Sequence, residues 1–162
     1  MKYFNISRAI AGGIAGTFLM TIMTTLAPMM GMPKMDIAAM LGSMLGGPPP
    51  EVGSSAWLVG FGMHLMIGIV ILAIGYALVN AYLPTSSSLA KGLFYGGIVW
   101  LMAQLIVMPI MGAGLFSSHL PQSIMTAAGS LMGHLIYGAA LGVVYGHQPA
   151  DRGVTDVASL GL

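Results

Sequence analysis

The sequence predicts an all-α membrane protein, a four-transmembrane-helix bundle, and three observations predict it. The chain is 57% hydrophobic and 6% charged, with a mean hydropathy of +0.90, where soluble domains average roughly 45–50% and 25%. A soluble domain of 162 residues could not solvate such a surface. Four apolar stretches, about 9–30, 56–81, 89–111 and 123–146, each reach the roughly 20 residues that cross hydrocarbon as a helix. A helix satisfies its own backbone polar groups where no water can. The charged residues, Lys2, Arg8, Lys34, Asp36, Glu51, Lys91, Asp151, Arg152 and Asp156, are read as falling outside these runs, the segregation a bilayer imposes.

The first span follows Lys2 and Arg8 as a secretory signal would, but it exceeds the usual signal core of about 7–15 residues and is expected to be retained. Thr21, Thr24 and Thr25 are its polar groups, expected to bond their own helix or a neighbour. The segment from Met32 to Gly53 contains a short helix at about 36–45, with Asp36 as N-cap and Ile37, Met40, Leu41, Met44 and Leu45 on one face. Too short to span, it should lie on the outer membrane surface or cap the bundle. The second span carries His64, the third Gln104 and the fourth His134. The tail from 148 to 162 reads as a flexible cytoplasmic end.

Basic residues in short loops set orientation. Threading four helices puts Lys2, Arg8, Lys91 and Arg152 on one side against Lys34 on the other, so both termini are predicted to be cytoplasmic. Tyr76, Tyr82, Tyr95 and Tyr145 would then mark the inner interface, and Trp57 and Phe116 the outer one. The net charge of +1 predicts no nucleic-acid partner. Expected partners are the lipid bilayer and other membrane subunits or a second copy. The absence of cysteine removes disulfides, thiolate metal sites and cysteine nucleophiles.

The halves resemble each other. Gly16, Pro28, Met30 and Gly31 recur as Gly97, Pro109, Met111 and Gly112; Gly60, His64, Leu65 and Gly68 recur as Ser130, His134, Leu135 and Gly138. A duplicated two-helix hairpin, its halves related by a pseudo-twofold axis along the membrane normal, is the economical reading.

Each histidine sits in a stripe of small residues spaced by four: Gly60, His64 and Gly68, and Ser130, His134, Gly138, Gly142 and Gly146. Such stripes let helices approach closely in a bilayer and should face protein. An ionisable group at depth is a functional candidate by default. His64 and His134 suit axial ligation of b-type haem, another metal or a proton relay; the plainer reading is two neutral imidazoles hydrogen-bonding a carbonyl, a threonine or each other. Sixteen methionines include Met29, Met30, Met32 and Met35 near the outer end, where thioethers could collect Cu(I); ordinary packing accounts for them equally. His119 and His147 read as solvated loop residues. No paired carboxylates, activated nucleophile or phosphate-binding loop occurs, so no enzyme is expected. The absence of acidic or basic residues inside the spans speaks against an ion-coupled pump and leaves passive conduction of a small neutral solute open.

The run Gly133-His134-Leu135-Ile136-Tyr137-Gly138-Ala139-Ala140-Leu141-Gly142-Val143-Val144-Tyr145-Gly146, together with 27–42, resembles YagU-like bacterial inner-membrane proteins of unknown function. The resemblance implies four spans in a bacterial inner membrane and carries over no functional residues. The leading functional expectation is a non-enzymatic subunit or assembly element of a membrane complex, or a homo-oligomer. Alternatives are a haem-binding redox protein using His64 and His134, and a small neutral-solute transporter.

Overall fold

The structure, a computed structural model, describes residues 4–146. Its helices are α1 (Ile6–Met30), α2 (Ile37–Ser43), α3 (Ser55–Tyr82), α4 (Ser88–Ile110) and α5 (Ser123–Tyr145); all but α2 are long and apolar enough to cross a membrane. No strand occurs among the described residues. The expected all-α bundle with a short extra helix is the fold observed. The tail at 148–162 and His147 lie outside the described residues.

Side chains start four of these helices. Asn5, Asp36, Ser54 and Ser87 accept hydrogen bonds from the backbone N–H groups of Arg8, Ala39, Trp57 and Ala90, each satisfying one otherwise orphaned donor. The two Pro-x-Met-Gly exits end alike. Gly31 and Gly112 take the left-handed conformation at φ 80° and 79°, and each is followed by a backbone bond reaching back to the residue before proline, Met32 N–H to Ala27 O and Ala113 N–H to Met108 O. Glycine adopts this conformation without a Cβ penalty.

Inside the bundle α1 packs on both α3 and α5, and α5 packs on α4, giving the lateral order α3, α1, α5, α4. Glycines set the spacing. A Cβ at Gly92 would overlap the carbonyl of Gly138, and one at Gly142 would overlap that of Ser88, so α4 and α5 cross backbone to backbone. On α1, Gly12 and Gly16 receive Leu141 and Tyr137 of α5, while Gly13 lies against Ala73 and the carbonyls of Gly68 and Ile69 on α3. With lipid tails as apolar as any side chain, this close fit supplies what hydrophobic burial supplies in water.

Two spans are not uniform helices. Ile67–Leu72 in α3 and Ala103–Val107 in α4 are π-helical turns, which widen the helix locally and recur at functional sites. Tyrosines serve the carbonyls of the first. Tyr137 Oη donates to Gly68 O at 2.6 Å and Tyr95 Oη donates to Leu72 O at 2.7 Å.

That arrangement corrects the expected inner aromatic belt. Tyr82 is 85% exposed, but Tyr76, Tyr95 and Tyr145 are buried. Their rings stack edge-on around Tyr76, with centroids 5.2 and 5.3 Å apart. The bundle interior at this level offers ring edges and carbonyls to aromatic side chains carrying a hydroxyl. Two charges are also inside the spans and not beyond them. Arg8 is in the first turn of α1, where its guanidinium donates to Tyr145 O at 3.3 Å, a cation at the negative end of α5. Lys91 is in the first turn of α4, 5% exposed, beside the closest crossing of α4 and α5 at Gly92.

Of the two placements open to α2, the structure takes the cap. Asp36 holds its N-terminus and also accepts from Trp57 Nε1 of α3 at 3.1 and 3.2 Å. Gly60 of α3 lies beneath the carbonyl of Ala38 and the N–H of Gly42. The glycine stripe at Gly60 therefore admits α2, where a neighbouring span was expected.

Candidate functional site

The half of the bundle that carries α2 is hollow. A cavity of about 400 Å³ lies between α3 and α4, floored by α1 and α5 and roofed by Ile37 and Leu41 of α2. Cofactor and ligand sites fall in the range of roughly 300–1,000 Å³. Its walls are apolar apart from a few groups: Thr17 on α1, His64 on α3, Tyr95 on α4, and Ser130, His134 and Tyr137 on α5. Both histidines singled out from the sequence line this one cavity.

Hydrogen bonding fixes their tautomers when neutral. His134 Nδ1 lies 2.8 Å from Ser130 O, one turn back on its own helix. A carbonyl only accepts, so Nδ1 carries the proton and Nε2 keeps its lone pair. This is the arrangement in which a ligating histidine is usually held. For His64, Nε2 lies 3.2 Å from Thr21 Oγ1. Thr21 already donates its single proton to Thr17 O at 2.7 Å, so Nε2–H donates to Thr21 and Nδ1 keeps the lone pair. The two imidazoles are thus matched in sequence and unequal in geometry. One is anchored to its own backbone, the other to a neighbouring helix.

Of the other small residues in the stripes, Gly68 lies against Thr17, Ser130 is on the cavity wall, Gly138 and Gly142 make the α4 crossing, and Gly146 ends α5 at φ 66°. The four methionines read as copper candidates part company. Met29 and Met30 are 83% and 74% exposed, while Met32 and Met35 turn inward and line a common void. His119 is an exposed loop residue whose Nδ1–H donates to Gly112 O at 3.0 Å. Gln104, within the second π turn and fully buried, accepts from Ser117 Oγ at 3.2 Å. No cluster of three or more His, Cys, Asp or Glu occurs among the described residues.

Sequence reasoning did not single out Thr17, Tyr95 or Tyr137 for this cavity. The helical spacing offered a signal for two of them. Thr17 stands one turn before Thr21, and Tyr137 three residues after His134, on the faces that carry the polar groups. Thr17 Oγ1 is buried and finds no hydrogen-bond partner among the described residues.

The model of a family of unknown function, DUF6789, matches residues 4–154. The chain belongs to that family. No curated protein and no solved structure matches it. The match takes in all five helices and both histidines of this chain.

Proposed function

We propose that this DUF6789 protein is a non-enzymatic, multi-pass protein of a bacterial inner membrane, both termini cytoplasmic, whose cavity holds a flat apolar cofactor of the b-type haem class. One observation carries the reading: imidazoles from α3 and α5 reach the same apolar cavity, each retaining one unprotonated nitrogen. Arg8 and Lys91 gather at the end where α5 finishes, in keeping with a cytoplasmic inner end. The resemblance to YagU-like proteins supports the bacterial membrane. His134 would hold such a group through Nε2. His64 would join it on giving up its bond to Thr21.

The test is the absorption spectrum of the detergent-purified protein, oxidised and dithionite-reduced. A reduced b-type spectrum is expected, abolished in His134→Ala and changed to a five-coordinate form in His64→Ala. A colourless protein from haem-sufficient cells, or a pigment indifferent to His134→Ala, sinks the reading.

A second reading, a subunit or assembly element of a membrane complex or a homo-oligomer, draws on a different observation. Along the open side between α3 and α4 the cavity-wall residues Ile71, Ile98 and Met102 are 55%, 41% and 54% exposed. This apolar seam offers a helix of another subunit a place to complete the ring. Because the chain has no cysteine, Ile98→Cys places a single crosslinking group on the seam. Specific crosslinked adducts in native membranes are expected; a protein that stays monomeric and uncrosslinked rules the reading out.

A further inference from the structure

Above the cavity, between α1 and α5, lies a separate and much smaller void of about 10 Å³, room for one water-sized body. Four methionines from three parts of the chain line it: Met23 of α1, Met32 and Met35 of the segment after α1, and Met125 of α5. Met32 reaches across to α5, its Cε 2.6 Å from the position a Cβ would take on Gly129. A Cβ there would push the flexible end of Met32 aside.

The remaining wall has little to offer a polar guest. The Thr24 hydroxyl donates to Met20 O and Thr21 O at 3.0 and 3.1 Å. The Thr126 hydroxyl donates to Pro121 O at 3.1 Å. No carboxylate, imidazole or ammonium lines the void. A hard cation such as Mg²⁺ or Ca²⁺ needs oxygen ligands and negative charge, and Zn²⁺ takes thiolate, imidazole or carboxylate. Neutral, polarisable sulfur in a site one atom wide selects a soft monovalent ion.

We propose that Met23, Met32, Met35 and Met125 form a thioether site for Cu(I), with Ag(I) as its redox-inert equivalent. Two of the four belong to the group read from the sequence. The other two come from helices that only folding brings to that place, and the exposed Met29 and Met30 do not line the void. Neither His64 nor His134 borders it, so the site stands apart from the haem reading; Met35 also borders the cavity.

The experiment titrates the purified full-length protein with Cu(I) under anaerobic reducing conditions against a chromophoric Cu(I) chelator, and repeats it with Ag(I). The parent is the His64→Ala/His134→Ala protein, so that haem loading and its failure are read separately. One equivalent is expected to bind, with a sulfur-only shell in X-ray absorption. Met23→Leu/Met125→Leu, which nearly conserves volume, is expected to weaken binding at least 100-fold. Absence of binding, a nitrogen-containing shell, or affinity unchanged in the double leucine variant overturns the proposal. The X-ray absorption readout on the parent decides the matter even if the leucine variant fails to fold.

Discussion

The two halves of this bundle, the one where α5 ends and the one that carries α2, are built on opposite principles. In the half where α5 ends, Gly92, Gly138 and Gly142 bring α4 and α5 into backbone contact, and Tyr76, Tyr95 and Tyr145 fill the space left between the other helices. In the half that carries α2 the same helices part around a cavity of about 400 Å³, Met20, Met23, Met32 and Met35 are among the residues lining its voids, and α2 closes the top. Small and rigid aromatic side chains make a joint; flexible, polarisable ones surround a hollow. One half holds the helices together, and the half with α2 leaves the space between them. The π turn of α3 lies at the boundary, its carbonyls tied down by Tyr95 and Tyr137.

Substitutions divide accordingly. Gly138→Leu should have the largest effect, since even a Cβ there meets the carbonyl of Gly92. Overpacking of this kind costs about 3 kcal/mol, and an SDS-unfolding midpoint shifted by that much, or loss of the folded monomer, is the expected outcome. A Gly138→Leu protein as stable as the parent would mean that the crossing does not hold the halves together.

Tyr137→Phe comes next, because it leaves Gly68 O without its 2.6 Å donor while preserving the ring. A loss of about 1–2 kcal/mol is expected, with faster amide exchange confined to the π turn of α3. Uniform exchange along the helix would break the assignment of that tyrosine to the boundary.

Asp36→Ala removes both the N-cap of α2 and the anchor for Trp57. About 1 kcal/mol is expected from the cap, and Trp57 fluorescence should shift to the red as α2 loosens from the cavity roof. An unshifted spectrum would show that Gly60 and Gly42 seat α2 without the carboxylate. Thr21→Val should be smallest, roughly 0.6 kcal/mol for an interhelical bond in a membrane. It frees His64 Nε2, so bound haem should be held at least as tightly as in the parent; weakened haem binding would mean that the Thr21 contact supports the ligated geometry.

The histidines show how far the sequence could be read. Their spacing of four from small residues placed them on faces turned toward protein, and both do reach one interior cavity. The equality implied by the repeat does not extend to their bonds. His64 meets Thr21 of α1, whereas the corresponding imidazole turns back to its own helix at Ser130 O. A repeat in one dimension fixes which residue types recur. It cannot fix the neighbours, because α1 touches both α3 and α5 while α4 touches only α5 closely.

By itself the sequence determined the four spans, the short capped helix after the first and the two Pro-x-Met-Gly exits. Those follow from local chemistry: apolar run length, an aspartate before a helical pattern, and glycine where the chain must turn left-handed. Only the tertiary structure decided the lateral order of the helices, the inward turn of the tyrosines, the seating of α2 on Gly60 and the hollow between α3 and α4. These depend on which glycine faces which carbonyl across a gap. In a bilayer, where every outward side chain is apolar, composition carries no record of that choice.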